Sequence, residues 1–395
     1  MAKETKELKK TKSVHVETNA APERDELLMS LADELNKKNK DGGKVAFFLD
    51  EAENPADIPD WISTGSSILD LAISNRPNGG LPVSKMVEFS GLEGTGKSLL
   101  AAHIIANTQK KGGKAIMIDT ENSAAPSFWQ SLGVDIGKLL YVQKETVEDI
   151  FATIEGAIAY IRKNNTDCLV TIIVDSVAAA STKTEQESEH GKTGYATDKS
   201  IIISKAMRKI TTMIGRQKVL IVFTNQLRQN INAMAFGDKW VISGGKAIAY
   251  HTSVRVRLNN MGKLKAGDRI IGNGCKAVVV KNRMGPPNRV ALFDIYYDSG
   301  IADYSSWLKV LKENNLIRQA GAYYKYTTDT GEEVQFQSKD FVTEMQTNTP
   351  LKEELYNKIC NKVIMKYKDP NSVIVEDAVI ESESEEDAGE NTENA

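Results

Sequence analysis

Apolar positions along this chain fall into short continuous runs separated by amphipathic stretches, the signature of strands buried on both faces between covering helices. MVEFSG (86–91), KAIMID (114–119), LVTIIVD (169–175) and LIVFTN (220–225) are four such runs. LLAAHIIANTQ (99–109) and other helical stretches lie between them, which predicts parallel winding. Further strands are expected at 253–258, 275–281 and 291–297, close enough together to pair antiparallel. Ahead of the core, ELLMSLADELNKKNK (26–40) repeats apolar residues at helical spacing, glycines end it, and KVAFFLD (44–50) reads as a short strand. After Gly300, SSWLKVLKENNLIRQAG and LKEELYNKICNKVIMKY read as helices around YYKYTTDTGEEVQF, a hairpin. The fold class is α/β with no internal repeat. The expected division is a disordered stretch at 1–24, a helix–strand arm at 25–62, a core at 63–300, a small α/β domain at 301–372 and an acidic disordered tail at 373–395.

Charge sharpens this outline. The whole chain carries −3, but residues 375–395 hold nine acids and no lysine or arginine, leaving a mildly basic body. An acidic tail on a basic body is common among proteins that bind nucleic acid. Cys168, Cys275 and Cys360 are far apart and form neither a CxxC pair nor a disulfide framework, so a reducing, cytoplasmic setting is expected. No apolar run is long enough to span a membrane, and the N-terminus has no apolar signal core.

The chemistry starts at GLEGTGKS, Gly91-Leu92-Glu93-Gly94-Thr95-Gly96-Lys97-Ser98. Gly-x-x-x-x-Gly-Lys-Ser between a strand and a helix is a P-loop. Its backbone N–H groups cradle phosphates, its lysine reaches them, and its serine hydroxyl ligates Mg²⁺. Asp175 ends the 169–175 strand, where a carboxylate can hold Mg²⁺ opposite Ser98, or simply cap the strand end. Glu121, just past the 114–119 strand, can orient and deprotonate a water for attack on the γ-phosphate; a loop acid facing solvent is the alternative. Asn225 and Gln226 end a third strand, and amides there can sense a γ-phosphate. Beyond them LRQNINAMAFGDKWVISGG (227–245) shows no period, and a loop this long in a compact domain is usually functional or disordered. Its Arg228 and Lys239 supply charge, and Ile231, Met234, Phe236 and Trp240 can stack on or wedge between bases. A second irregular segment spans 185–200.

STGSSILD (63–70), GLEGTGKS, MIDTENSAAPSF, IIVDSVAAASTKTEQESE, SKAMRKI, VFTNQLR, SGGKAI and VVVKNR together closely resemble the RecA family of homologous-recombination ATPases. Bacterial RecA and the phage-encoded, UvsX-type recombinases are resembled alike, from about residue 26 to residue 367. The resemblance implies a RecA-like P-loop ATPase core with a mostly parallel twisted sheet, an N-terminal oligomerisation arm and a small C-terminal domain. It implies an ATP- and Mg²⁺-dependent DNA strand-exchange recombinase that forms helical filaments of its own copies on single-stranded DNA, pairs that strand with homologous duplex, and works with single-strand-binding and mediator proteins.

Residue by residue, the resemblance makes 91–98 the ATP cradle with Lys97 catalytic, Asp175 the Mg²⁺ support, Glu121 the catalytic glutamate and Gln226 the γ-phosphate sensor. Segments 186–199 and 227–245 become two DNA loops, with Tyr195, Arg228, Phe236, Lys239, Gly244 and Gly245 at the DNA and Arg208 on its backbone. Lys281 and Arg283, by themselves a strand-end charge pair, become cations reaching a neighbour's ATP. The arm would extend a neighbour's sheet, and the acidic tail would be autoinhibitory by mimicking DNA, the alternative being a merely solubilising tail. The chain departs from the family where an adenine-contacting acid and a stacking tyrosine are usual, having Ala125 and Phe128; Phe128 can still stack. RPNGG (76–80) reads as a slightly longer loop, and Tyr250 stands where phenylalanine is frequent. The rival readings are a non-catalytic regulator that holds ATP structurally and a ring-forming helicase or clock-type ATPase.

Overall fold

The computed structural model describes residues 24–39, 44–51, 57–121, 125–165, 167–177, 179–187, 195–215, 217–229, 240–242 and 246–366. Of the stretches expected at 1–24 and 373–395, only Arg24 falls within these residues, and it pairs with Asp50 at 3.1 Å and Glu51 at 3.3 Å. Two units are distinguished, 1–57 and 58–395.

In the first unit, helix α1 (Glu26–Lys38) starts at Asp25, whose carboxylate accepts from the Leu28 N–H, and carries Glu26 in its first turn and Lys37 and Lys38 in its last. These charges match the helix dipole. None of its residues is buried, and Leu27, Leu28, Met29, Leu31 and Leu35 stand exposed. The strand expected at 44–50 is absent: 44–48 takes no regular structure and 49–50 form a turn. Its backbone pairs instead with one side chain, Asn36, whose Oδ1 accepts from the N–H groups of Val45 (2.7 Å) and Ala46 (2.8 Å). A strand needs a partner strand, and the described residues of this unit provide none.

The second unit opens with β1 (Trp61–Ile62), α2 (Ser67–Ser74), β2 (Leu81–Pro82), β3 (Met86–Gly91), α3 (Lys97–Lys110), β4 (Lys114–Asp119), α4 (Pro126–Ser131), β5 (Leu139–Gln143), α5 (Val147–Asn164) and β6 (Val170–Asp175). It continues with α6 (Lys183–Glu187), α7 (Tyr195–Ile214), β7 (Val219–Gln229), β8 (Trp240–Ile242), α8 (Lys246–His251), β9 (Val254–Ala266), β10 (Arg269–Asn282), β11 (Arg289–Tyr296) and β12 (Gly300–Ile301). The central sheet runs β12-β11-β10-β9-β3-β7-β6-β4-β5, with β8 paired on β7. From β9 through β3 to β5 neighbours are parallel, and from β9 to β12 antiparallel, as the spacing of the apolar runs implied. β3 is buried at all its positions because sheet continues on both sides and helices cover both faces. One apolar core fills the face under α2 and α3, the other the face under α5 and α7.

The strands outrun expectation. β9 and β10 form one long hairpin that outruns β3: β9 pairs with β3 as far as Leu258 and with β10 as far as Ala266, and burial falls away along the extension. β7 does not end at Asn225 but continues to Gln229 and pairs antiparallel with β8, Leu227 opposite Ile242. The segment expected to be irregular from 227 therefore begins and nearly ends as a hairpin; 230–239 and 243–245 lie outside the described residues. Likewise 186–199 is entered from α6 and left through α7, with 188–194 outside.

The C-terminal part comprises α9 (Asp303–Glu313), β13 (Arg318–Ala320), β14 (Tyr323–Thr327), β15 (Glu333–Gln337), α10 (Phe341–Thr347) and α11 (Thr349–Val363). The hairpin expected there gains a third strand, β13, from residues that the sequence placed in a helix. Trp307, Leu311, Leu355 and Ile359 share one buried core with Leu69, Ile73 and Leu100, so this part packs onto α2 and continues its hydrophobic layer.

Candidate functional site

The strand ends β3, β4, β6 and β7 meet at the carboxyl edge of the sheet, with Gly91 beside Gln226 and Asp119 beside Asp175 in register. Two glycines of the loop after β3 take the left-handed conformation, Gly94 at φ +71° and Gly96 at φ +94°. At Gly91 a Cβ would sit 2.8 Å from the Leu258 carbonyl, so the close packing of β9 dictates glycine there. Thr95 ties the turn by donating to the Leu92 carbonyl at 2.8 Å. Helix α3 then begins without a side-chain cap and without an acid in its first turn. Its first residue is Lys97, a cation at the positive end of a helix. That arrangement is unfavourable alone and fits an anion held by the free N–H groups. Leu92 and Glu93 are exposed.

Lys97 Nζ donates to the carbonyls of Gly91 (3.1 Å) and Leu92 (2.7 Å). Burial pulls its pKa below the usual lysine value, against the opposing pull of Asp175, Glu121 and Glu93. The Ser98 hydroxyl donates to Asp175 Oδ2 at 2.6 Å, and Thr224 donates to Asp175 Oδ1. Asp175 is buried while Ser98 opens to solvent. These are hard oxygen donors, and no group of three or more His, Cys, Asp or Glu able to hold a metal occurs among the described residues. That donor set suits Mg²⁺, which keeps waters and substrate phosphates rather than demanding an all-protein cage.

Glu121 is exposed, and its Oε1 accepts from Ser176 Oγ at 2.8 Å and from Gln226 Nε2 at 3.1 Å. Its backbone N–H donates to Asp119 Oδ1 at 2.8 Å. Of the two amides at the end of 220–226, only Gln226 faces this site. Asn225 is fully buried and donates to Glu88 Oε1 at 3.0 Å, while Arg255 Nε donates to Glu88 Oε2 at 2.6 Å. The reason is the two-residue period of a strand, which sends neighbours to opposite faces.

Lys281 and Arg283, at the end of β10, face the C-terminus of α8. Lys281 Nζ donates to the carbonyls of Ala249 (2.8 Å) and Tyr250 (3.0 Å), with Arg283 Nη2 at 3.5 Å from the latter. Cations complete a helix C-terminus in this way. Burial and then Arg283 hold the Lys281 pKa down, and the charges of Arg208, Lys281 and Arg283 reinforce burial in lowering that of His251. Arg208 of α7 therefore belongs to the same cationic patch. No hydrogen bond or ion pair joins Lys281 or Arg283 to 91–98 among the described residues. Phe128 packs against the core from α4. Tyr195 opens α7 and Arg228 lies in β7, whereas Phe236, Lys239, Gly244 and Gly245 lie outside the described residues.

The family model of the RecA N-terminal domain matches residues 29–302, more than half of the chain. The chain belongs to the RecA family. Among curated relatives, Protein RecA of Clostridium acetobutylicum is 37% identical over 303 residues, 77% of this chain and 83% of that one. Protein RecA of Streptomyces venezuelae is 33% identical over 321 residues, 81% and 80% of the two chains. For Protein RecA of Bacillus mycoides the identity is 36% over 294 residues, 74% and 82%.

Several residues of this RecA-family site escaped the sequence. Thr224 and Ser176 each hold one carboxylate, and Asp119 braces the Glu121 backbone. Each lies within two residues of one that the sequence did single out, which was the available signal. A cleft of about 970 Å³ lies away from these strand ends, lined by Trp61, Asp70, His103, Lys110, Asp303 and Lys352 among others. It shares no residue with the P-loop.

Proposed function

We propose that this chain is an ATP-dependent DNA strand-exchange recombinase, acting as a filament on single-stranded DNA in recombination and repair. The observation that carries the reading is the contact between Gln226 and Glu121 at the root of the β7–β8 hairpin. The strand that touches the acid of the phosphate site runs on without a break into the segment read as a DNA loop. Nucleotide state and DNA grip thereby share one rigid element.

Residues 91–98 bind the phosphates of ATP through backbone N–H groups, with Lys97 turning from the loop carbonyls to the β/γ-phosphates. Ser98 and Asp175 hold Mg²⁺, which neutralises phosphate charge when bound. Glu121 orients a water and takes its proton, and Gln226 reports the γ-phosphate. Tyr195, Arg208, Arg228, Phe236, Lys239, Gly244 and Gly245 serve the DNA: cations on phosphates, aromatic rings on bases. Phe128 stacks on the nucleotide base. Lys281 and Arg283 act in trans on the ATP of a neighbouring copy, which accounts for their distance from their own P-loop. β5 ends the sheet, and its exposed Leu140 and Tyr141 offer an edge on which another copy's 44–50 segment completes the strand that it lacks alone. A head-to-tail contact of this kind builds a helix when its rotation does not close into a ring. The acidic tail is autoinhibitory in this scheme, the setting is the cytoplasm, and single-strand-binding and mediator proteins are the expected partners. Among the described residues no helix is long and apolar enough to cross a membrane.

The deciding experiment is ATP hydrolysis with and without single-stranded DNA at fixed Mg²⁺ and low salt. Strong stimulation by single strands supports the recombinase; a low rate indifferent to DNA supports the structural-ATP regulator instead. Electron micrographs showing rings in place of filaments would favour the helicase-type alternative.

A further inference from the structure

β5 reaches the phosphate site through one hydroxyl. Tyr141 sits opposite Met117 of β4 in the parallel ladder, and Asp119 is two residues further along the same face. Such a diagonal neighbour lies within reach of a long aromatic side chain. The Tyr141 hydroxyl donates to Asp119 Oδ2 at 2.8 Å. The other oxygen of the same carboxylate, Oδ1, accepts from the Glu121 N–H at 2.8 Å. Asp119 is 1% exposed, so water cannot stand in for either donor. Glu121 in turn presents its carboxylate to Ser176 and Gln226. An edge-strand phenol, a buried carboxylate and the backbone of the acid thus form one continuous chain of hydrogen bonds.

The two ends of Tyr141 live in different surroundings. Its residue as a whole is 39% exposed on the strand that closes the sheet, whereas its hydroxyl is anchored on a buried anion. Burial and the Asp119 charge both raise its pKa, so it stays a donor throughout the working range. A strand laid on β5 would cover the ring and fix its rotamer. Asp119 would then be held in the orientation that receives the Glu121 N–H.

We propose that Tyr141 is a positioning residue for Glu121: through Asp119 it transmits occupancy of the β5 edge by a second copy of this chain to the acid that activates water. The proposal rests on the reading of Glu121 as base and of β5 as the receiving edge. It makes turnover depend on assembly within one subunit's own sheet, in addition to cations arriving from a neighbour. Removing the hydroxyl takes the Tyr141 donor from a buried carboxylate and loosens the tie between β5 and Asp119, but leaves the docking surface intact.

The test is Tyr141→Phe in the full chain, with Tyr160→Phe, an exposed tyrosine on α5, as control. Filament formation on single-stranded DNA is followed by light scattering, and steady-state hydrolysis over a range of ATP and of protein. The expected result is unchanged assembly, unchanged KM for ATP and a kcat lowered about fivefold, the size expected when one hydrogen bond to a charged group acts at second hand. Asp119→Asn lowers kcat as well, and the double variant is no slower than Asp119→Asn alone, because both changes break one chain of contacts. Wild-type kcat in fully assembled Tyr141→Phe overturns the proposal. So does a loss that vanishes at high protein concentration, which would make Tyr141 interface packing only. Wild-type turnover on single strands, measured alongside, tests the recombinase reading separately.

Discussion

Gln226 Nε2 and Ser176 Oγ converge on one oxygen of Glu121, at 3.1 and 2.8 Å. The amide is the contact between the acid and the β7–β8 hairpin, while the hydroxyl holds the acid to the end of β6. Gln226→Ala therefore keeps basal ATP hydrolysis within about threefold while stimulation by single strands is lost, since the transition-state groups stay and only the coupling element goes. Parallel rate measurements with and without DNA check this; an intact stimulation ratio would remove Gln226 from the coupling.

Glu121→Gln keeps the shape and the Ser176 contact but cannot take a proton. Turnover should fall by a factor of about 10² to 10⁴, the usual worth of a positioned general base. Binding of a fluorescent ATP analogue should be nearly unchanged, and a parallel loss of binding would make the residue structural.

Lys97 bridges the loop carbonyls and lies partly buried. Lys97→Ala should weaken ATP binding by about 10- to 100-fold, corresponding to about 1.5–3 kcal/mol for a charge-assisted contact. Equilibrium dialysis against labelled ATP gives the number.

Glu88 is fully buried, with Asn225 on one oxygen and Arg255 on the other. Arg255→Ala strands that charge and should destabilise the fold by about 3–5 kcal/mol, whereas replacing both partners with well-packed apolar residues should cost far less. Urea unfolding of the single and double variants separates the two cases.

Asp70 accepts from Ser63 Oγ, Thr64 N–H and Thr64 Oγ1, yet burial outweighs these contacts and, with Asp303 nearby, pushes its pKa up to about 7. A raised carboxylate pKa means that the folded state binds the proton more tightly than the unfolded one, whose pKa is about 3.9. Its contribution to stability is then fully present below about pH 4 and is lost as pH rises through about 7. In Asp70→Asn this fall between about pH 4 and pH 7 should flatten. Thermal melts across that range check the slope.

That Gly91 to Ser98, Glu121, Asp175 and Gln226 come together was readable because each stands at or just past a strand end whose apolar run announces it. The parallel half of the sheet was legible for the same reason, since strands buried on both faces leave continuous runs. The reach of β7, β9 and β10 was not, because their distal halves are polar and held by ladder bonds that carry no composition. Asn225 and Gln226 looked equivalent in sequence, and only strand alternation around a buried Glu88 separates them. Tyr141 gave no sign, since its partner Asp119 lies on another strand and a tyrosine in an amphipathic run is ordinary.

The edge of β5 and the 44–48 segment, which lies in no strand among the described residues, are found once each on every chain. A string of copies joined through them, as proposed, would have a bare sheet edge at one tip and an undocked arm at the other. The tips are chemically unlike, so subunits arrive and depart at different speeds at the two, and growth has a direction that no symmetric dimer contact can confer.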